Sequence, residues 1–150
     1  MSGDKHMKRA RGMLVAAVVA TVLIASAIPS AAQLTPIAFP DTAVGSSATI
    51  KCPTMTVGLC FGTNCSASGM VQSVSGPGAP FSVNKFNLLS SAEFFAGNCE
   101  AHPVNLPVTV GAGQILAYQA TFSPTAGGPF NGVATFNTSG GNIDSSFGCL

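Results

Sequence analysis

The sequence predicts an all-β sandwich of about seven antiparallel strands behind a short N-terminal leader. Three observations predict it. Short β-rich runs alternate polar and apolar residues with a period of two; clusters of glycine, proline and serine separate them; and no stretch between those clusters is long enough for an extended helix.

The leader comes first. Lys5, Lys8, Arg9 and Arg11 precede an uncharged apolar run from Met13 to Ile28, which breaks at Pro29 and continues as Ser30-Ala31-Ala32. A basic segment, an apolar segment and small residues before the break form the pattern of a cleavable signal peptide, so residues 1–32 are read as leader, with cleavage between Ala32 and Gln33. A membrane-spanning helix needs about 20 apolar residues and this run is shorter, so no stable span is expected after cleavage. No cysteine stands directly after the run, which argues against a lipid-modified N-terminus.

Residues 33–150 are read as one domain, long enough to bury a core. Their charged side chains are Lys51 and Lys85 against Asp41, Glu93, Glu100 and Asp144, a formal −2. So few basic groups argue against nucleic acid or anionic lipid as a partner, and serine, threonine, asparagine, glutamine and glycine must supply the wet surface.

Along this domain the turn clusters are Gly45-Ser46-Ser47, Gly76-Pro77-Gly78, Gly111-Ala112-Gly113 and Gly127-Gly128-Pro129. Between them, Met55, Val57, Leu59 and Phe61 fall on one face of an expected strand. Leu116, Tyr118, Ala120 and Phe122 form another such face, opposite Ala117, Gln119 and Thr121. Phe130, Ala134 and Phe136 form a third, opposite Val133, Thr135 and Asn137. One-sided patterning of this kind fits a sandwich of antiparallel sheets. Leu106-Pro107-Val108-Thr109-Val110 reads as the entrance to a strand. One segment departs from strand chemistry: Ser90-Ser91-Ala92-Glu93 fits a capping box, Leu88, Leu89, Ala92, Phe95 and Ala96 recur at helical spacing, and Gly97 suits the residue after a helix. This predicts roughly two turns of helix in an inserted loop, with Phe94 and Phe95 covering an open end of the sandwich or offering a contact surface.

All five cysteines, Cys52, Cys60, Cys65, Cys99 and Cys149, lie after the leader, and export makes disulfides the default reading. Cys60 and Cys65 are the simplest pair. Cys52, Cys99 and Cys149 compete for one further bond, and the odd count leaves one thiol over.

Three blocks carry a family resemblance: "FPDTAVGSSAT" at 39–49, "VQSVSGPGAPFSV" at 71–83 and "ATFSPTAGGPFNGVATFNTSG" at 120–140. Their order and content resemble the ASH (abnormal-spindle and Hydin-like) domain of bacterial choice-of-anchor D proteins, over nearly all of residues 33–150. The resemblance implies an immunoglobulin-like sandwich with a structural or interaction role and no catalytic motif. In the first block a glycine at position 45 lets the chain reverse with positive φ. There are departures. Many bacterial members carry a cysteine before the long hairpin and another just after a Leu-x-x-Gly turn; Cys99 matches the first, whereas the second position falls near Gln114 and Ile115, so the resemblance implies that this bond is missing. The loop from Lys85 to Pro107 is longer than the family's, and the last strand, Ile143 to Leu150, lacks the usual leucine-glycine ending.

Catalytic chemistry is sparse. The domain's one histidine, His102, lies close in sequence to Cys99 and Glu100, which makes these three the candidates for an alternative, a small periplasmic metal- or thiol-handling protein. No CxxC or HxxxH spacing supports that set, four scattered acids do not suggest a glycosidase pair, and no glycine-rich phosphate loop precedes a helix. No metal or other cofactor and no enzymatic activity are expected. The leading expectation is an exported module, secreted, periplasmic or at the cell surface, acting on a protein or cell-surface partner, with an exposed strand edge available for β-augmentation.

Overall fold

Nine short strands build two sheets in the computed structural model, which describes residues 34–149. The expected leader and the Ala32–Gln33 cleavage position lie outside the described residues. The first sheet has β1 (Ile37–Phe39), β9 (Gly141–Cys149), β8 (Asn131–Thr138), β4 (Gly69–Ser75) and β6 (Val108–Val110), side by side in that order. In the second, β7 (Gln114–Phe122) is central. β5 (Phe81–Ser90) runs along one edge of it, and β2 (Ala48–Ile50) and β3 (Gly58–Leu59) lie in line along the other. The sheets pack as an all-β, immunoglobulin-like sandwich.

Alternation decides which side chains enter the space between the sheets. From β7 come Leu116, Tyr118, Ala120 and Phe122, from β8 Ala134 and Phe136, and from β9 Ile143 and Phe147. Phe39 sits among Phe81, Phe122 and Phe147 at ring-centroid distances of 5.7, 5.7 and 6.2 Å. Offset aromatic pairs at this spacing add to the stabilisation from burial itself.

Several details differ from the sequence reading. The count rises from about seven strands to nine because β1 and β6 are short edge strands and one edge is split into β2 and β3. In addition, β1 pairs parallel to β9 while the other pairings are antiparallel. The expected strand through Met55–Phe61 is reduced to Gly58–Leu59, preceded by a 3-10 turn at Met55–Val57. Ile50 faces Ala120 and Gly58 faces Ala117, so residues 51–57 stand opposite only Tyr118 and Gln119 and must loop away. The Tyr118 hydroxyl anchors that loop by donating to the Thr56 carbonyl at 2.7 Å.

The expected two-turn helix is a single short one, α1 (Ser91–Phe95), because Leu88 and Leu89 continue the β5 ladder against Leu116 and Ile115. The inserted segment therefore begins after Ser90 rather than at Lys85. Finally, β7 is not one-sided: Ile115, Ala117 and Gln119, which face away from the main core, are buried too.

Candidate functional site

What buries that outer face of β7 is the inserted segment, and this is where the molecule departs from a plain two-sheet sandwich. Ile115 and Ala117 of β7 and Leu89 of β5 form a small apolar floor, and Phe94 and the bonded Cys52 and Cys99 pack on it as a second hydrophobic cluster. Phe94 lies so close to Gly58 that a Cβ there would stand 2.6 Å from its ring, so any larger residue at position 58 would push the helix off the sheet.

α1 is only five residues long, far below the length at which a helix persists by itself, and its termini are correspondingly well satisfied. At the start, the Glu93 amide donates to Ser90 Oγ at 3.2 Å and the Ser90 amide donates to Glu93 Oε2 at 2.8 Å, the reciprocal capping box. At the end, the Asn98 amide donates to the Glu93 carbonyl and the Gly97 amide to the Phe94 carbonyl, with Gly97 at φ +81°, a Schellman closure that favours glycine. The Cys52–Cys99 disulfide, with Cα atoms 5.7 Å apart, then ties the segment to the loop after β2. Cys60 and Cys65 form a second disulfide at the border of the same cluster, and the Gly113 amide donates to the Cys65 carbonyl at 2.8 Å, joining that loop to the turn before β7. Cys149, half-buried at the end of β9, has no thiol partner among the described residues.

Two carboxylates organise the rim. Glu93 sits below the usual carboxylate range because it accepts the Ser90 amide and, at 2.8 Å, pairs with His102 Nε2. Glu100 is likewise lowered, first by Gln119 Nε2, which donates to it at 2.9 Å, and then by Lys85 Nζ at 3.4 Å. The side-chain amide of Gln119 thus leaves the sheet to hold the insert from below.

The candidate ligand set does not assemble. Cys99 is committed to Cys52, His102 to Glu93, and Glu100 to Gln119 and Lys85, so the three neighbours in sequence face three different partners. Among the described residues no three His, Cys, Asp or Glu side chains gather as a metal site. A bonded Cys99 also offers no thiolate to a metal or a substrate.

The two adjacent aromatics divide their roles. Phe94 is fully buried, whereas Phe95, edge-on to it at 5.4 Å, is 57% exposed. The open strand edge expected for partner addition is closed only in part. The 102–104 segment runs along β5, its Val104 amide donating to the Phe86 carbonyl and its His102 carbonyl accepting from the Leu88 amide, while β1 and β6 expose only three residues each. Asn87 and Gln119 escaped the sequence reading as site residues; it had Lys85 only as a basic residue and the start of the longer loop, and Gln119 simply as the polar half of an alternating strand. A lone glutamine between apolar residues in an otherwise two-sided run was the available signal.

Comparison with known proteins gives no match: no family model, no curated protein and no solved structure corresponds to this chain.

Proposed function

We propose that this chain is an exported, non-enzymatic immunoglobulin-like module of the ASH and choice-of-anchor D type, acting by contact with a protein or cell-surface partner in the envelope or secreted fraction. The observation that carries the reading is Phe95, an exposed phenylalanine on a helix capped at both ends and latched by a disulfide. A rigid aromatic of this kind loses little conformational entropy on binding, which is why such residues anchor interfaces. Two disulfides are compatible with an oxidising compartment, and among the described residues no helix is long and apolar enough to cross a membrane. The covered middle of β5 and the three-residue length of β1 and β6 favour side-chain contact over β-augmentation.

The test is co-sedimentation of the exported protein with envelopes of the producing cells, using wild type and Phe95→Ser. Binding by wild type and loss of most of it in the variant, with unchanged thermal unfolding, is the expected result. Equal behaviour of the two proteins, or retention of the full-length chain inside the cell with its thiols reduced, would overturn the reading.

A further inference from the structure

A second feature stands apart from Phe95, at the middle of β5. Between Asn84, paired with Gln119, and Asn87, paired with Ala117, β5 carries one residue more than β7, a β-bulge. Lys85 absorbs it at φ 53°, a left-handed conformation that non-glycine residues adopt infrequently. The bulge inverts the alternation, so that Phe86 and Leu88 pack towards the main core while Asn87 and Leu89 are buried away from it.

Asn87 is 2% exposed. Its Nδ2 donates to the Lys85 carbonyl at 3.2 Å, but its Oδ1 is buried without a hydrogen-bond donor among the described residues. A buried acceptor in that state is costly and calls for a donor. Asn87 also forms part of the wall of a half-open cleft of about 330 Å³, shared with Lys85, Glu100, Pro103, Val104 and Asn105. That volume lies at the small end of ligand sites.

We propose that this cleft binds a neutral polyhydroxylated ligand of the saccharide class. The chemistry of the wall selects it. Asn87 Oδ1 and Glu100 accept hydrogen bonds, and Lys85 Nζ donates. Lys85 and Glu100 form an exposed pair that is neutral overall, so a cationic or anionic ligand meets one like charge. A hydroxyl group both donates and accepts, so neighbouring hydroxyls of one sugar ring can between them donate to Asn87 Oδ1 and Glu100 and accept from Lys85 Nζ. Pro103 and Val104 supply apolar surface for the C–H face of a sugar ring. The inference does not depend on Phe95, and the Phe95→Ser protein is expected to keep this binding.

The experiment is an amide NMR titration of the exported protein with maltotriose and with chitotriose, with glucosamine and glucuronate as charged controls. A neutral trisaccharide is expected to shift the Val104 and Asn105 amides and the Asn87 side-chain amide saturably in the millimolar range, and the charged sugars to bind more weakly. Asn105→Arg, an exposed substitution at the mouth, is expected to weaken binding about tenfold or more without changing thermal stability. Asn87→Leu is expected to abolish it, and if that variant fails to fold, Asn105→Arg carries the test. No saturable shift with either trisaccharide, or binding that Asn105→Arg leaves untouched, would overturn the proposal and leave Asn87 Oδ1 to an ordered water alone.

Discussion

The main core and the outer cluster bury side chains equally completely yet are built by different means. Phe136, between the sheets, and Phe94, beneath the insert, are both fully buried. Phe136 is held by strands whose ladders extend over many residues, from Val71 opposite Thr138 to Asn131 opposite Gly148. Phe94 is held by five helical residues, two caps, two carboxylates and a disulfide. The core is thus cooperative and the cluster is latched. Burial alone does not reveal which of these a region is; what differs is how many independent attachments must fail before the side chain is released.

That contrast can be broken from the core side with the largest effect. Phe39→Ala removes the ring at the centre of the aromatic group and should cost about 3–5 kcal/mol, read as a drop in the urea midpoint of the whole domain, with the outer cluster unfolding in the same transition. Retained sheet signal with only local loss would show the core to be less cooperative than described.

Tyr118 links the two regions, since it lies in the core and its hydroxyl holds the loop that leads towards Gly58. Burial pushes its ionisation up to about 12. Because the folded value lies above the unfolded one near 10, the neutral form favours the folded state: its contribution is complete below pH 10 and is lost as pH rises towards 12, by up to about 3 kcal/mol. The chain has a single tyrosine, so phenolate absorbance reads this residue alone. A titration midpoint near 10 in the folded protein would contradict its burial.

The smallest effect belongs to the helix cap. Ser90→Ala should cost about 1 kcal/mol and act locally, raising amide exchange through Ser91–Phe95 while β8 and β9 stay protected. Acid should act on the same element. Glu93 ionises below its ordinary 4.5, so its contribution is present above that pH and fades as pH falls through the lowered folded value. Circular dichroism changes confined to that acid range, absent in Glu93→Gln, are expected.

Much of this architecture was legible in the residues. The period-two runs at Leu116–Phe122 and Phe130–Phe136 gave the core faces, Pro107 marked the start of β6, and Ser90–Glu93 with Gly97 named both ends of the helix. Local signals of this kind are written in single side chains. What escaped is non-local. The loss of a strand at Met55–Val57 depends on how many residues stand opposite two positions of β7, and the burial of Ile115, Ala117 and Gln119 depends on an insert that folds back over them. The partner of Cys99 was open for the same reason: Cys52 and Cys149 were equal candidates until the loop after β2 was placed against the insert. The cleft beside Asn87 rests on a bulge that no residue in Asn84-Lys85-Phe86 announces.

The most direct test of the latched-cluster account is hydrogen exchange on the exported protein with Cys52 and Cys99 both changed to serine. The bond closes a 47-residue separation, about 4 kcal/mol of chain entropy against unfolding of the whole domain, and it is also the covalent tie between the insert and the loop after β2. The account predicts that the Ala96 and Asn98 amides, which close the helix, lose most of their protection while those of β8 and β9 remain slow relative to them. Loss of protection in equal step across α1, β8 and β9, or full protection of α1 without the bond, would contradict it.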